Sequence, residues 1–210
     1  SAMYAGKDTD IYKALWRHIH RLFDEVGVDN VLWVWNPHDV SLPDFKWNHP
    51  LMYYPGDDVV DIIGITGYNT GTYFPGEKWR SFHEIYKPVD VDYSEWFDKP
   101  IMITEFYVKG EDSGLPNTTG AGWVVPTQAD RGRFYQHYVL GLLESRNCVG
   151  WHWFKYQDND PEQKGAELSN IDSNKGIVDI RYRPWTEFVE LMRQVNREVY
   201  PLTEHFDRGD

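Results

Sequence analysis

Four short apolar runs limit what this chain can fold into. Val31 to Trp35, Val59 to Gly67, Ile101 to Thr104 and Cys148 to Phe154 have the length and residue types of buried strands. Helical segments stand between and around them. Ile11, Leu15, Ile19, Leu22 and Phe23 recur at helical spacing between Ile11 and Glu25, and Gly27 closes that segment. Phe134, Tyr138, Leu142 and Leu143 form the apolar stripe of a helix over Gln128 to Glu144, and Pro184 to Val199 predicts a last helix. Shorter helical stretches are expected around Trp79 to Ile85 and Tyr93 to Phe97. Strands alternating with helices predict an α/β fold of parallel βαβ units, with both faces of the sheet covered. A closed (β/α)8 barrel needs eight strands in typically about 250 residues. Four strands are half of one.

No repeat or linker divides the chain. Ser1-Ala2-Met3 reads as a cloning scar, which leaves residues 4–210 as one domain. The net charge is −12, from 21 Lys and Arg against 33 Asp and Glu, with no basic run to neutralise phosphates, so nucleic acid is not an expected partner. No apolar run reaches the roughly 18 residues of a membrane-spanning helix. Cys148 is the single cysteine, which excludes an internal disulfide and a Cys-based zinc site. No metal or cofactor is expected. His18 and His20 are two apart on a helix and point to different faces. Asn170 to Asn174 alternates oxygen ligands, but Lys175 follows where a calcium loop needs Gly, so a turn cluster is the better reading. Asn117-Thr118-Thr119 is a glycosylation triplet of the kind that occurs by chance. Ten Trp, 14 Tyr and 10 Phe make 16% of the chain, which suits either an aromatic core or ring surfaces for sugars.

In parallel folds chemistry gathers at the C-terminal ends of strands. Those ends read Asn36-Pro37, Gly67-Tyr68-Asn69, Glu105-Phe106-Tyr107 and Trp153-Phe154-Lys155-Tyr156. Glu105 at such a mouth suits a nucleophile or base; the alternative is a structural pair with an Arg such as Arg131. Tyr68 is placed either to hydrogen-bond Glu105 or to cap the rim. The loop of about twenty residues from Val108 to Thr127 is long enough to be functional. In the last strand, alternation puts Trp151, Trp153 and Lys155 on one side and His152 and Phe154 on the other.

Several ordered segments resemble glycoside hydrolase family 26: Trp16-Arg-His-Ile-His20, Val31-Leu-Trp-Val-Trp-Asn-Pro37, Tyr53-Tyr-Pro-Gly-Asp57, Val60-Asp-Ile-Ile-Gly64, Gly67-Tyr-Asn69 and Lys99-Pro-Ile-Met-Ile-Thr-Glu-Phe106. The resemblance covers roughly Tyr4 to Phe106. From Tyr107 onward, Gly114 to Asp130 and Gly150 to Asp160 are more similar to agarase-like members of the same clan. That family is mostly β-mannanases, within the clan of retaining (β/α)8 glycosidases. The resemblance implies strands five to eight of the barrel, with Glu105 as nucleophile and Tyr68 orienting it. It also implies that Trp35 and Trp153 line a sugar cleft, with Asn69 and Tyr107 as further substrate contacts. A poly- or oligosaccharide is the implied partner, and secretion or a periplasmic location the implied setting, with any signal peptide outside this sequence.

The family's acid/base Glu ends the fourth strand within a His-Glu-hydrophobic-Asn motif, and no such motif occurs here. Tyr4-Ala-Gly-Lys-Asp8 resembles the segment just after it, so the acid/base is expected upstream of residue 1. Asp39 and Asp158 are the stand-ins near strand ends, neither at a family position. Open sheet edges favour pairing, so a homodimer of half-barrels is expected. The alternative function is a non-catalytic half-barrel that binds carbohydrate or only associates with itself.

Overall fold

The apolar runs pair side by side in one parallel sheet. The computed structural model describes residues 8–41, 43–71, 75–81, 84–86, 96–163, 165 and 170–209. Among the described residues six strands run in chain order: β1 (Val34–Trp35), β2 (Ile62–Thr66), β3 (Ile101–Phe106), β4 (Lys109–Gly110), β5 (Val124–Val125) and β6 (Cys148–Trp153). The helices are α1 (Thr9–Glu25), α2 (Gln128–Glu144), α3 (Thr186–Arg197) and α4 (Val199–Arg208). The main sheet has the order β1-β2-β3-β6, all parallel, so neighbours in space are successive strands of that sheet. A parallel ribbon of β4 and β5 folds the long loop after β3.

One face of the sheet carries the core. Trp35, Ile63, Ile65, Ile101, Ile103 and Phe106 are buried with Tyr135, Tyr138, Val139 and Leu142 of α2 and with Phe188 and Val195 of α3. The opposite face departs from the expectation of cover on both sides. Its residues Val34, Ile62, Thr66, Met102, Thr104 and Gly150 are only partly buried, and Asn36 and His152 are exposed. Gly64 is the exception on that face. A Cβ there would come within 2.8 Å of Asn36 Oδ1 and 2.9 Å of both Thr104 Cγ2 and Val34 Cγ1, so its missing side chain lets those three groups converge.

The α2 boundaries match the expected helix; Thr127 caps it by accepting from the Asp130 N–H. Helix α1 forms as expected, with Asp8 accepting from the Asp10 and Ile11 N–H groups. It turns a different face inward, however. Ile11, Leu15, Ile19 and Leu22 are exposed. Phe23 of the expected stripe is partly buried, 5.2 Å from the Trp33 ring. Trp16 and His20 pack on the same ring at 5.8 and 4.9 Å, and Tyr12 meets Tyr53 at 5.7 Å. The aromatic face wins because its rings bury more area, and because Trp16 Nε1 donates to Val59 O at 3.0 Å, a bond the aliphatic face has no donor to make.

Helix α4 was not expected beyond the segment Pro184 to Val199; its Pro201 sits in the first turn, where a missing N–H costs nothing. Of the stretch around Trp79 to Ile85, residues 77–81 are irregular and 84–86 helical. Residues 96–97 are helical, and the rest of the expected segment around Tyr93 to Phe97 lies outside the described residues, as do Ser1 to Met3.

Candidate active site

The site begins with a bulge. Ile65 pairs with Ile103 but Thr66 pairs with Glu105, so Thr104 is an extra residue in β3. Strict alternation would leave Glu105 in the buried row of Ile101 and Ile103. The extra residue lets Glu105 leave that row, partly buried, while Phe106 takes the buried place beside α2. Thr104 Oγ1 lies 2.8 Å from Asn36 Oδ1 and 3.0 Å from Thr66 Oγ1, and these contacts tie the ends of β1, β2 and β3 together.

Tyr68 stands at the end of the neighbouring strand, and its hydroxyl donates to Glu105 Oε1. Gly67 makes this approach possible: a Cβ there would lie 2.8 Å from Ile85 Cγ2 and 3.1 Å from Asp39 Cβ. The Gly67 carbonyl accepts from the Tyr86 hydroxyl, and Tyr68 O accepts from Arg80 Nη2 at 2.9 Å. The Tyr68 ring meets the edge of Tyr107 at 5.2 Å. A phenol donating to one carboxylate oxygen fixes that group's orientation.

The other four expected substrate contacts have different places. Trp35 is 2% exposed in the helix-side core, edge-on to Tyr54 at 5.0 Å. Trp153 packs 4.7 Å from Phe188 and gives its N–H to Lys175 O, so it too faces the helices rather than a cleft. His152, on the opposite side of the strand, is exposed on the open face. Register explains both: Trp151 and Trp153 pair beside Ile103 and Phe106 of the buried row. Tyr107 is 6% exposed beneath Gly122, with Lys175 Nζ 4.2 Å from its ring centre, and it backs Tyr68. Asn69 spends its amide on the loop, accepting from Gly71 N and Arg80 N and donating to Arg80 O.

Several residues were not singled out from the sequence. His38 stands beside Tyr68 with ring centres 6.5 Å apart, Arg80 clamps the Tyr68 loop, and exposed Trp123 lies against Gly71. The signal for Trp123 was a Trp inside a Gly-rich loop of functional length; nothing local marked Arg80.

Behind the mouth lies a polar knot. Asp172 accepts from the amides and hydroxyls of Thr118 and Thr119, and Lys109 Nζ donates to the carbonyls of Asn117, Thr119 and Gly120. Asn174 Oδ1 accepts from Gly110 N and Gln128 Nε2. Asn117 donates its amide to Gly110 O. The knot ties the long loop to residues 170–176, as a turn cluster does. Arg131 donates to Val108 O, Gln128 Oε1 and Gly176 O, serving this knot.

Burial pushes the Asp172 carboxyl up, but hydrogen bonds from the Thr118 and Thr119 side chains and amides outweigh it and hold the group at about 2, below its ordinary 3.8. A depressed carboxylate stabilises the fold above its unfolded value, and that contribution is lost as pH falls through the folded one. Amide-exchange protection at Thr118 and Thr119 is therefore expected to fall between pH 4 and about 2. Asp172→Asn should remove that pH dependence; protection unchanged to pH 2 would contradict the assignment.

Both candidate stand-in acids are committed. Asp39 Oδ2 pairs with Arg80 Nη1 at 2.9 Å. Buried Asp158 accepts from Asn174, Gly176 N and Trp185 Nε1; burial raises its carboxyl, and those bonds oppose the rise.

The sequence profile of glycosyl hydrolase family 26 matches residues 3–109, just over half of the 210 residues. The chain belongs to glycosyl hydrolase family 26. This family 26 chain is 33% identical over 105 residues to Beta-agarase B of Vibrio sp. (strain JT0107), covering 50% of this chain and 11% of that protein. It is 40% identical over 74 residues to a mannan endo-1,4-beta-mannosidase of Bacillus subtilis, covering 33% of this chain and 19% of that one. The solved structure of BpGH50 is similar with a TM-score of 0.70 at 33% identity, covering 95% of this chain and 38% of that chain. The family 26 chain thus spans a fraction of the length of the relatives it matches. The family match ends at residue 109, where β4 begins.

Proposed function

We propose that this chain carries the nucleophile of a retaining hydrolase of β-linked polysaccharide, with Glu105 as the nucleophile and Tyr68 as its orienting donor. One observation carries the reading: the Tyr68 hydroxyl bonds to Glu105 at the C-terminal ends of adjacent parallel strands. Family membership and relatives named agarase and mannanase support a polysaccharide substrate. Glu105 attacks the anomeric carbon while a second carboxyl protonates the departing oxygen. Water then releases the sugar with its β configuration kept. The two carboxyl groups must stand about 5–5.5 Å apart. Asp39 and Asp158 are held in bonds of their own, so in this reading neither serves as the acid. Hydrolysis of mannan, agarose and mixed-linkage glucan tests the reading. Turnover that Glu105→Ala abolishes supports it; saturable oligosaccharide binding without turnover favours a binding half-barrel.

The sheet is proposed to be half of a (β/α)8 barrel whose open face and outer strands β1 and β6 are covered by a second copy. The partly exposed Ile62 and Met102 on that face, and the exposed Ile11, Leu15, Ile19 and Leu22 of α1, support burial against a partner. Such a pair restores the fold rather than the chemistry, because a two-fold copy sets the second Glu105 across the barrel. Sedimentation is expected to give a dimer; a strict monomer with a well-ordered core contradicts the pairing.

A further inference from the structure

We propose that the ion pair between buried Asp39 and partly exposed Arg80 positions Tyr68, so that Asp39 and Arg80 act through Tyr68 on the Glu105 carboxylate. The proposal rests on the reading of Glu105 as nucleophile and adds two residues to it. Tyr68 lies just past the end of β2, where ladder hydrogen bonds no longer hold the backbone. Its hydroxyl must nevertheless meet one oxygen on the next strand.

Arg80 supplies the hold. Its Nη2 donates to Tyr68 O at 2.9 Å, while its own N–H and C=O are both bound by the Asn69 side chain. The other arm, Nη1, donates to Asp39 Oδ2 at 2.9 Å. Asp39 is fixed in turn, because its N–H donates to Thr66 O at 3.0 Å, the last residue of β2. The bonds close a ring from β2 through Asp39 and Arg80 to Tyr68 and back to β2. Gly67 fits inside that ring only because it lacks a Cβ, with Asp39 Cγ 3.2 Å from where one would stand.

The pair is not arranged for stability alone. The Asp39 side chain is 1% exposed, and a carboxylate so buried loses solvation that its partner must return. Its Oδ1 accepts no hydrogen bond among the described residues, although His38 Nδ1 lies 2.7 Å away. A neutral hydrogen bond would pin a loop with less loss. A charged, forked clamp does more: it fixes both the direction and the distance of the main chain it grips. A nucleophile displaced by about 1 Å loses on the order of 10²-fold in rate, which is what such a clamp guards against.

The test is the rate at which Glu105 is labelled by 2,4-dinitrophenyl 2-deoxy-2-fluoro-β-mannoside, -glucoside and -galactoside. Dinitrophenolate leaves without a proton, so labelling reads nucleophilic attack alone and needs no acid from elsewhere. Asp39→Asn and Arg80→Lys are each measured in the native and the Tyr68→Phe backgrounds. In the native background Asp39→Asn is expected to slow labelling about 10–100-fold with little change in the concentration for half-maximal rate. In the Tyr68→Phe background the same change should have almost no further effect, because both act through one group. Labelling at the native rate, or an equal loss in both backgrounds, overturns the proposal. Near-UV circular dichroism confirms folding; if Asp39→Asn does not fold, Arg80→Lys carries the same comparison at a partly exposed position. If the unaltered protein takes no label at Glu105, the nucleophile reading fails first, and this proposal with it.

Discussion

Glu105→Ala is expected to lose hydrolysis of 2,4-dinitrophenyl β-glycosides by on the order of 10⁴-fold or more, the scale on which removing a nucleophile acts. The space left by the side chain then admits a small anion. Azide is expected to restore part of the turnover and to give the α-glycosyl azide, because it attacks from the face Glu105 occupied. Tyr68→Phe keeps the nucleophile but frees its orientation, so its loss should be milder, about 10–100-fold. The product configuration is read by proton NMR. Full activity in Glu105→Ala, or rescue that gives the β-azide, contradicts the assignment. The contrast is expected on that reading, because the bulge in β3 brings Glu105 out of the buried row while Tyr68 contributes one hydrogen bond to it.

The second large effect falls on stability. Arg131 is 0% exposed, with its guanidinium 4.3 Å from the Phe188 ring centre and 5.4 Å from that of Trp153. Burial pulls its pKa down to about 9, with Asp158 and Asp112 opposing the fall. It joins Val108 after β3, Gln128 at the start of α2 and Gly176 in the far loop. Arg131→Ala strands three buried acceptors and leaves a cavity between sheet and helix. A loss of about 3–5 kcal/mol is expected from urea denaturation. A loss below about 1 kcal/mol would mean that the knot does not depend on this side chain.

The sequence pattern made the parallel sheet legible, because runs such as Ile62–Thr66 and Ile101–Phe106 are too apolar and too short for other roles. It also put Glu105 and Tyr68 at neighbouring strand ends. The direction of the tryptophans was not legible. Trp35 and Trp153 sit at strand ends, but register with Ile63 and Phe106 decides which face they take, and register depends on bulges that no residue type announces. The inward face of α1 was misread for a related reason: aliphatic residues at helical spacing mark an apolar stripe, and here two stripes compete for one sheet. Arg80 was hidden because its partners are a main-chain carbonyl and Asp39, 41 residues away in sequence.

The central claim is that Glu105 forms the covalent bond to sugar. Incubation with the three 2-deoxy-2-fluoro glycosides, followed by digestion and mass spectrometry of the peptides, tests it most directly. The expected result is a single added fluoroglycosyl group on the peptide that contains Ile101–Phe106, located on Glu105 and lost in Glu105→Gln. A label on another carboxylate, or none on a folded protein that binds oligosaccharide, would contradict it.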